Sequence, residues 1–182
     1  MNHPPDLRTD RLLLRPFRSD DVDDVFAYAS DPEWGRHLPV PQPYTRRDAE
    51  EFVTGATVPK PEQRLKWAIV HEGRVSGGIE LRFRDHDSAE IGYSLARPLW
   101  GRGLATEAAA SVVGYGFEEL DLARIWAAAD VRNVASWRVM EKLGMRREGQ
   151  LRSRRVVHGE RVDDVLYALL REEWPGRTSG EP

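Results

Sequence analysis

The sequence predicts a mixed α/β fold, a single domain built on one sheet of about seven strands flanked by helices. Three observations predict it. Short apolar runs of strand length alternate with stretches of helical period. Three strand-like segments in the middle follow one another directly, which suggests antiparallel pairing. Further on, strand–helix–strand units suggest parallel pairing. The length, 182 residues, favours one domain, expected over residues 7–174. Residues 1–6 and 175–182, rich in Pro and Gly, are expected to be flexible ends.

The elements follow in order. Arg11–Pro16 is an apolar run suited to a strand. Ser19 is an N-cap residue, and Asp20 and Asp21 sit where the helix dipole welcomes negative charge. Val22, Val25, Phe26 and Ala29 continue at helical spacing. Asp31–Tyr44, with prolines at 32, 39, 41 and 43, reads as a loop. Thr45 and Asp48 fit a capping box for a helix ending near Val58, before Pro59 and Pro61. Lys66–His71 and Val75–Phe83 flank a Gly-containing hairpin loop, Glu72–Arg74. Ala89–Leu95 is the third strand of that group. The Ala-rich stretch Leu104–Leu120 is a helix, Leu122–Ala129 a strand, and Ala135–Leu143 a helix stopped by Gly144. Two strands, about 146–157 and 161–170, close the chain. Trp67, Trp126 and Trp137 fall within these patterns and are expected in the core.

Composition excludes several function classes. The chain has no cysteine, so disulfides, thiolate metal sites and cysteine nucleophiles are ruled out. Its five histidines have no ligand spacing, and no metal site is expected. Lys+Arg total 27 against Asp+Glu 30, a net charge of −3, which argues against direct nucleic-acid binding. No run approaches a membrane span, and the first ten residues lack the apolar core of a signal peptide. A cytoplasmic protein is the expectation.

The informative stretch is Ala89–Ala110. A strand runs into the Gly-rich turn Trp100-Gly101-Arg102-Gly103-Leu104-Ala105, which opens the Ala-rich helix. Converging backbone N–H groups and a fresh helix N-terminus suit a phosphate or pyrophosphate. Arg97 and Arg102 could add charge-assisted bonds. The P-loop and dinucleotide patterns are not met: no Gly-Lys-Ser/Thr opens the helix, and Thr106 stands where the third glycine belongs. On the residues alone, a turn without a ligand stays open.

The stretch resembles the GNAT superfamily of acyl-CoA N-acyltransferases, whose signature is Q/R-x-x-G-x-G/A. Trp100 departs from it, but W-G-x-G-x-A-T-E-A over Trp100–Ala108 is similar to the RimJ/RimL-like branch of ribosomal-protein N-terminal acetyltransferases. Thr9-Asp10-Arg11-Leu12 with Leu14-Arg15, Asn133 and Ser136 followed by Glu141-Lys142-Leu143-Gly144, Asp164 with Tyr167, and Glu173-Trp174 extend the resemblance over nearly the whole chain.

The resemblance implies acetyl transfer from acetyl-CoA to a primary amine by direct attack in a ternary complex. The acceptor would be a protein N-terminus or a small-molecule amine, and the protein could pair as a homodimer. A non-catalytic acyl-CoA sensor is the alternative. The pyrophosphate is expected on Trp100, Gly101, Arg102, Gly103, Leu104, Ala105 and Thr106. The pantetheine arm would run along Ile91, Tyr93, Ser94 and Leu95, and Asn133 would touch it. Thr106 could equally be a plain first-turn residue and Asn133 a plain N-cap. Glu90 is the candidate base, with an ion pair to arginine as the other reading. Ser136 is the candidate acid toward the CoA sulfur, because the family's usual tyrosine position holds Met140; a local hydroxyl bond is its other reading. Trp34 and His37, in the Pro-rich loop, are candidates for acceptor contact. An α-amine, with a pKa of about 7.7–8.0, would ask less of the base than a lysine at about 10.4.

Overall fold

Alternation of side chains along extended segments, and helical spacing between them, yields one eight-stranded sheet in the order β1-β2-β3-β4-β5-β6-β8-β7. The computed structural model describes residues 3–176; residues 1–2 and 177–182 of the expected loose ends lie outside them. The strands are β1 (Leu7–Arg8), β2 (Leu13–Arg15), β3 (Arg64–His71), β4 (Arg74–Phe83), β5 (Ser88–Leu95), β6 (Arg124–Asp130), β7 (Arg146–Val157) and β8 (Glu160–Leu170). The helices are α1 (Val22–Ala29), α2 (Pro32–Gly35), α3 (Arg46–Thr57), α4 (Leu104–Glu118) and α5 (Val134–Lys142). The eighth strand is β1, a two-residue segment too short to leave an apolar signature. Residues just before it are anchored rather than loose, since Trp67 Nε1–H donates to the Pro5 carbonyl at 2.8 Å.

The β3–β4–β5 meander is antiparallel as expected, and β5–β6 is the parallel pair. The β6–α5–β7 unit does not make a second adjacent parallel pair. Strand β8 inserts between β6 and β7, antiparallel to both. The β3–β4 turn is tighter than predicted: only Glu72 and Gly73 lie outside the strands, both at positive φ (50° and 80°), the geometry that matches strand twist in a two-residue hairpin.

One apolar core fills the space between the sheet and α4 and α5, with Trp67, Leu81, Ile91, Val112, Phe117 and Ile125 among its members. A second lies on the opposite face under α1 and α3, around Phe17, Val25, Ala49 and Val53. Trp137 is half-buried and packs against the first core as expected, whereas Trp126 is half-buried and joins neither core. Trp126 instead carries the Arg84 and Arg154 guanidinium groups over its ring, at 6.0 and 5.9 Å, a cation–π arrangement.

The first helix begins differently from its sequence reading. A single 3-10 turn, Ser19–Asp21, precedes α1, and Ser19 makes no capping bond. Asp21 is buried in a two-pronged pair with Arg15, at 2.6 and 2.8 Å. Asp24 accepts the Val75 N–H at 2.8 Å. Asp21 and Asp24 therefore join this segment to β2 and β4, while Asp20 is exposed and Asp23 pairs at the surface with Arg46 of α3 at 2.6 Å. The Thr45–Asp48 capping box at α3 forms as predicted. The Pro-rich loop contains α2, with Pro32 at its first position and the Asp31 carboxylate accepting the Glu33 N–H at 3.0 Å; a proline there is already preset for the helix.

Candidate active site

Strands β5 and β6 are paired only at Ser88↔Arg124, Ala89↔Ile125 and Glu90↔Trp126. Beyond that point β5 stays with β4 as far as Leu95, and β6 stays with β8 as far as Asp130. The two strands splay, and from Ile91 onward β5 offers an unpaired backbone edge to a wedge-shaped opening. Such an edge is a template for an extended ligand that carries its own amides.

At the end of β5 the chain turns into α4. Gly101 and Gly103 take φ of +73° and +79°, which costs a residue with Cβ about 1–2 kcal/mol. Gly103 is the N-cap of α4, and no side chain caps the helix. The first-turn N–H groups are thus left for a ligand, at the positive end of the helix dipole. The turn is latched from behind. Thr9 Oγ1 and the Arg11 N–H donate to Glu107 Oε1 at 2.6 and 2.9 Å, Arg11 Nε donates to Glu107 Oε2 at 2.7 Å, and Arg11 Nη1 donates to the Arg102 carbonyl at 3.0 Å. Trp100 Nε1–H donates to the Leu95 carbonyl at 2.6 Å. The tryptophan that departs from the general signature therefore ties the turn to the strand end.

These parts line a cleft of about 320 Å³. Tyr93, Ser94, Leu95, Trp100, Gly101, Gly103, Leu104, Ala105, Thr106 and Asn133 all border it. Leu104 is fully buried, so its side chain serves the core. Arg102 is exposed and outside the lining, and Ile91 borders the neighbouring cavity instead. Arg97 is held by Asp31 through Nε at 2.5 Å. Arg138 and Lys142 of α5 supply positive charge from the opposite wall. Sequence reasoning missed both because nothing local relates α5 to the turn at Trp100.

A second cavity, of about 600 Å³, opens on the other side of the splay. Its floor is charged. Glu90 is 7% exposed; one oxygen accepts Arg82 Nη2 at 3.3 Å and the other pairs with Arg84. Gly92 makes room for that floor: a Cβ there would stand 2.8 Å from Arg82 Nη2. Burial lowers the pKa of the Lys66 ammonium, partly offset by Glu80 at 3.3 Å. Four buried side-chain atoms lack a hydrogen-bond partner among the described residues: Trp34 Nε1, His37 Nδ1, Glu80 Oε2 and Arg82 Nε. All four residues line this cavity. Buried polar atoms are rarely left so.

The cleft and the cavity meet at Trp34, Leu38, Tyr93, Ser94, Asn133 and Ser136, which border both. Asn133 Oδ1 caps α5 by accepting the Ser136 N–H at 3.2 Å, and this leaves its amide N–H₂ free to donate. Tyr93 Oη donates to the Ser136 carbonyl at 2.7 Å and lies 3.5 Å from Ser136 Oγ. Burial pushes the Tyr93 hydroxyl up, so it stays protonated. Met140 is buried on the cavity wall. Two hydroxyl groups thus stand where the openings join. No group of metal-ligating side chains occurs among the described residues.

A family model described as "Acetyltransferase (GNAT) domain" matches residues 11–146. The chain belongs to the GNAT acetyltransferase family. The N-acetyltransferase YnaD of Bacillus subtilis (strain 168), itself uncharacterized, is 34% identical over 171 residues, covering 92% of this chain and 98% of YnaD. The crystal structure of a GNAT-family acetyltransferase from Bacillus anthracis has a TM-score of 0.83 and 32% identity, covering 93% of this chain and 100% of that one. RimL, a ribosomal L7/L12 alpha-N-protein acetyltransferase solved with coenzyme A, shares the fold at TM-score 0.82 and 18% identity, over 91% of this chain and 98% of RimL. This GNAT enzyme is an acetyl-CoA-dependent N-acyltransferase. The uncapped first turn of α4 and the open edge of β5 suit the two parts of that donor, a phosphate-bearing head and an amide-bearing arm. No helix among the described residues is long and apolar enough to cross a membrane.

Proposed function

We propose that this GNAT enzyme acetylates a primary amine, a protein N-terminus or a small-molecule amine, by direct attack in a ternary complex. The observation that carries the reading is the junction: one small set of side chains borders both the donor cleft and a cavity with polar groups to spare. In this reading the donor's pyrophosphate sits on the N–H groups of Gly103 to Thr106, and its pantetheine arm extends β5 as an added strand. The Asn133 amide donates to that arm. Arg138 and Lys142 take the role expected of Arg97 and Arg102.

The acceptor enters from the larger cavity past Trp34 and His37. Its nitrogen attacks the thioester carbon, the C–N bond forms and the C–S bond breaks. Ser136 Oγ, backed by Tyr93 Oη, gives a proton to the leaving thiolate. Glu90 holds the Arg82–Arg84 pair on the cavity floor. For Glu90 to act as base, an amine or water would have to share lone pairs already given to two guanidinium groups. An α-amine is the favoured acceptor here, because its lower pKa asks less of the base than a lysine would; RimL is likewise a ribosomal L7/L12 alpha-N-protein acetyltransferase. The reading further places the enzyme in the cytoplasm. It allows a homodimer through β7, an edge strand exposing Leu151 and Val156.

Free-thiol release from acetyl-CoA tests the reading directly, because a chain without cysteine contributes no thiol of its own. Ala- and Ser-initiated peptides are compared with small primary amines. Release with at least one of them is expected. Acetyl-CoA binding without release would favour the sensor alternative, and thermal stabilisation by NAD rather than acetyl-CoA would overturn the assignment.

A further inference from the structure

His37 belongs to the loop after α2, and its position is set from three sides. The Arg97–Asp31 pair holds the start of α2. His158, in the β7–β8 turn, places Nε2 3.1 Å from the Gly35 carbonyl. Gln42 Nε2 donates to the Pro32 carbonyl at 3.2 Å. The imidazole is thereby brought to the acceptor cavity, with its Nδ1 buried and unpartnered.

Nδ1 faces a fixed carboxylate. Asp130 Oδ2 lies 3.6 Å away, and the Asp130 side chain has no solvent exposure. Burial pushes the Asp130 carboxyl up, but bonds from Arg132 outweigh it and hold it below the usual carboxylate range. Those bonds come from Arg132 Nε at 3.0 Å, Nη2 at 2.8 Å and the backbone N–H at 2.9 Å. Asp130 also opens the turn that carries the Asn133 amide and the Ser136 hydroxyl of the junction: its carbonyl accepts the Asn133 N–H at 2.8 Å, and Ser136 follows one turn later.

We propose that His37, oriented by Asp130, is the catalytic base that takes the proton from the acceptor ammonium. The inference rests on the acetyl-transfer reading above. A ring that offers Nδ1–H to a buried carboxylate leaves the Nε2 lone pair for chemistry. At 3.6 Å the pair is too long by about half an ångström for a hydrogen bond; catalytic bonds of this kind tighten when substrate binds. One ammonium proton moves to Nε2. The neutral amine then forms the C–N bond as the C–S bond breaks. The leaving thiolate takes the Ser136 hydroxyl proton, the second proton lost by the nitrogen restores that hydroxyl, and one proton per turnover leaves through His37. The charged groups that line this cavity with His37 are Lys66, Glu80, Arg82 and Glu90 on β3 to β5, Arg84 just after β4, Asp130 at the end of β6, and Arg154, Arg155 and Asp164 on β7 and β8. Of these, only Asp130 lies within ion-pair distance of His37 among the described residues.

Asp130 is a positioning residue, and two measurements test the pair. Nitrogen-15 NMR of the wild-type imidazole is expected to show the Nδ1–H tautomer for His37 in the free protein, lost in Asp130→Asn. An Nε2–H tautomer in the wild type would overturn the proposal. With the most active amine of the thiol-release panel, His37→Gln is expected to lower kcat by about 100-fold, with KM for acetyl-CoA within about twofold. The acidic limb of its pH profile in kcat/KM should move to follow the ionisation of the acceptor amine alone. Turnover within about threefold of wild type, or an unchanged acidic limb, would equally overturn it. Absence of acetyl-CoA binding by calorimetry would instead sink the acetyl-transfer reading, while the tautomer would still report on the pair.

Discussion

The cleft beside the first turn of α4 and the charged cavity next to it share a wall, yet they are made of different material. The cleft is mostly backbone: an unpaired strand edge, two glycines at positive φ and the bare first turn of α4. The cavity is mostly side chains, drawn from α1, α2 and its loop, α3, α5 and the strands β3 to β8. A backbone site needs only a few residue types at close spacing, so it suits a donor that never changes. A side-chain site can be re-specified residue by residue, as an acceptor that differs between enzymes requires. The contrast also gives the opening motif a physical role: Thr9 and Arg11 hold Glu107 and the Arg102 carbonyl, so a distant segment stiffens the backbone site from behind.

The contrast can be broken at the donor end most sharply. Gly103→Val should weaken acetyl-CoA binding by about 100-fold or more in calorimetry, by straining the N-cap and crowding the phosphate position. A Cβ at Gly103 meets nothing closer than Arg11 Nη2 at 3.6 Å, so circular dichroism should report an intact fold. Retained affinity would show that the backbone site is not at this turn.

At the shared wall, Ser136→Ala should lower kcat by about 10- to 100-fold. Acetyl-CoA affinity should stay within about twofold of wild type. An unchanged kcat would remove Ser136 from proton transfer and leave Tyr93 to act alone.

The smallest effect is expected at the far side, on stability rather than on binding. Asp130 has a depressed folded-state pKa, so its contribution to stability is present above its unfolded value of about 3.9 and fades as pH falls through the folded value. Arg132→Gln removes the guanidinium bonds that help depress it and keeps only the backbone one, so acid unfolding followed by tryptophan fluorescence should begin at a higher pH than in wild type. The shift will be modest because Arg132 is half-exposed and screened by solvent. An unmoved acid transition would mean that Arg132 does not hold Asp130 in solution.

The same division runs through what could be read ahead of the structure. The turn from Trp100 to Thr106, the capping box at Thr45 and the stop at Gly144 are local: each depends on residues within one or two turns, and the chain states them openly. The antiparallel meander and the parallel β5–β6 pair were legible from the order of the elements. The eighth strand was not, because two residues carry no period. Trp126 looked like a core residue by pattern, but helices cover only part of that sheet face, and its ring meets guanidinium groups instead. Arg138, Lys142, Asp130 and the Arg82–Glu90–Arg84 cluster could not be placed, since each takes its meaning from a partner brought near by the sheet.

By itself, then, the sequence determined most of the element order, the family and the Gly-rich turn that opens α4, because glycine conformation, helix ends and strand edges are properties of short segments. The absence of cysteine likewise settled that no thiol of the enzyme carries the acyl group. Only the tertiary structure decided the splay of β5 from β6, the joining of cleft and cavity at Tyr93 and Ser136, and the approach of His37 to Asp130. Those depend on sheet order and on packing between residues some 40 to 90 positions apart, and the energy that places such contacts is spread over the whole core rather than written in any one stretch of chain.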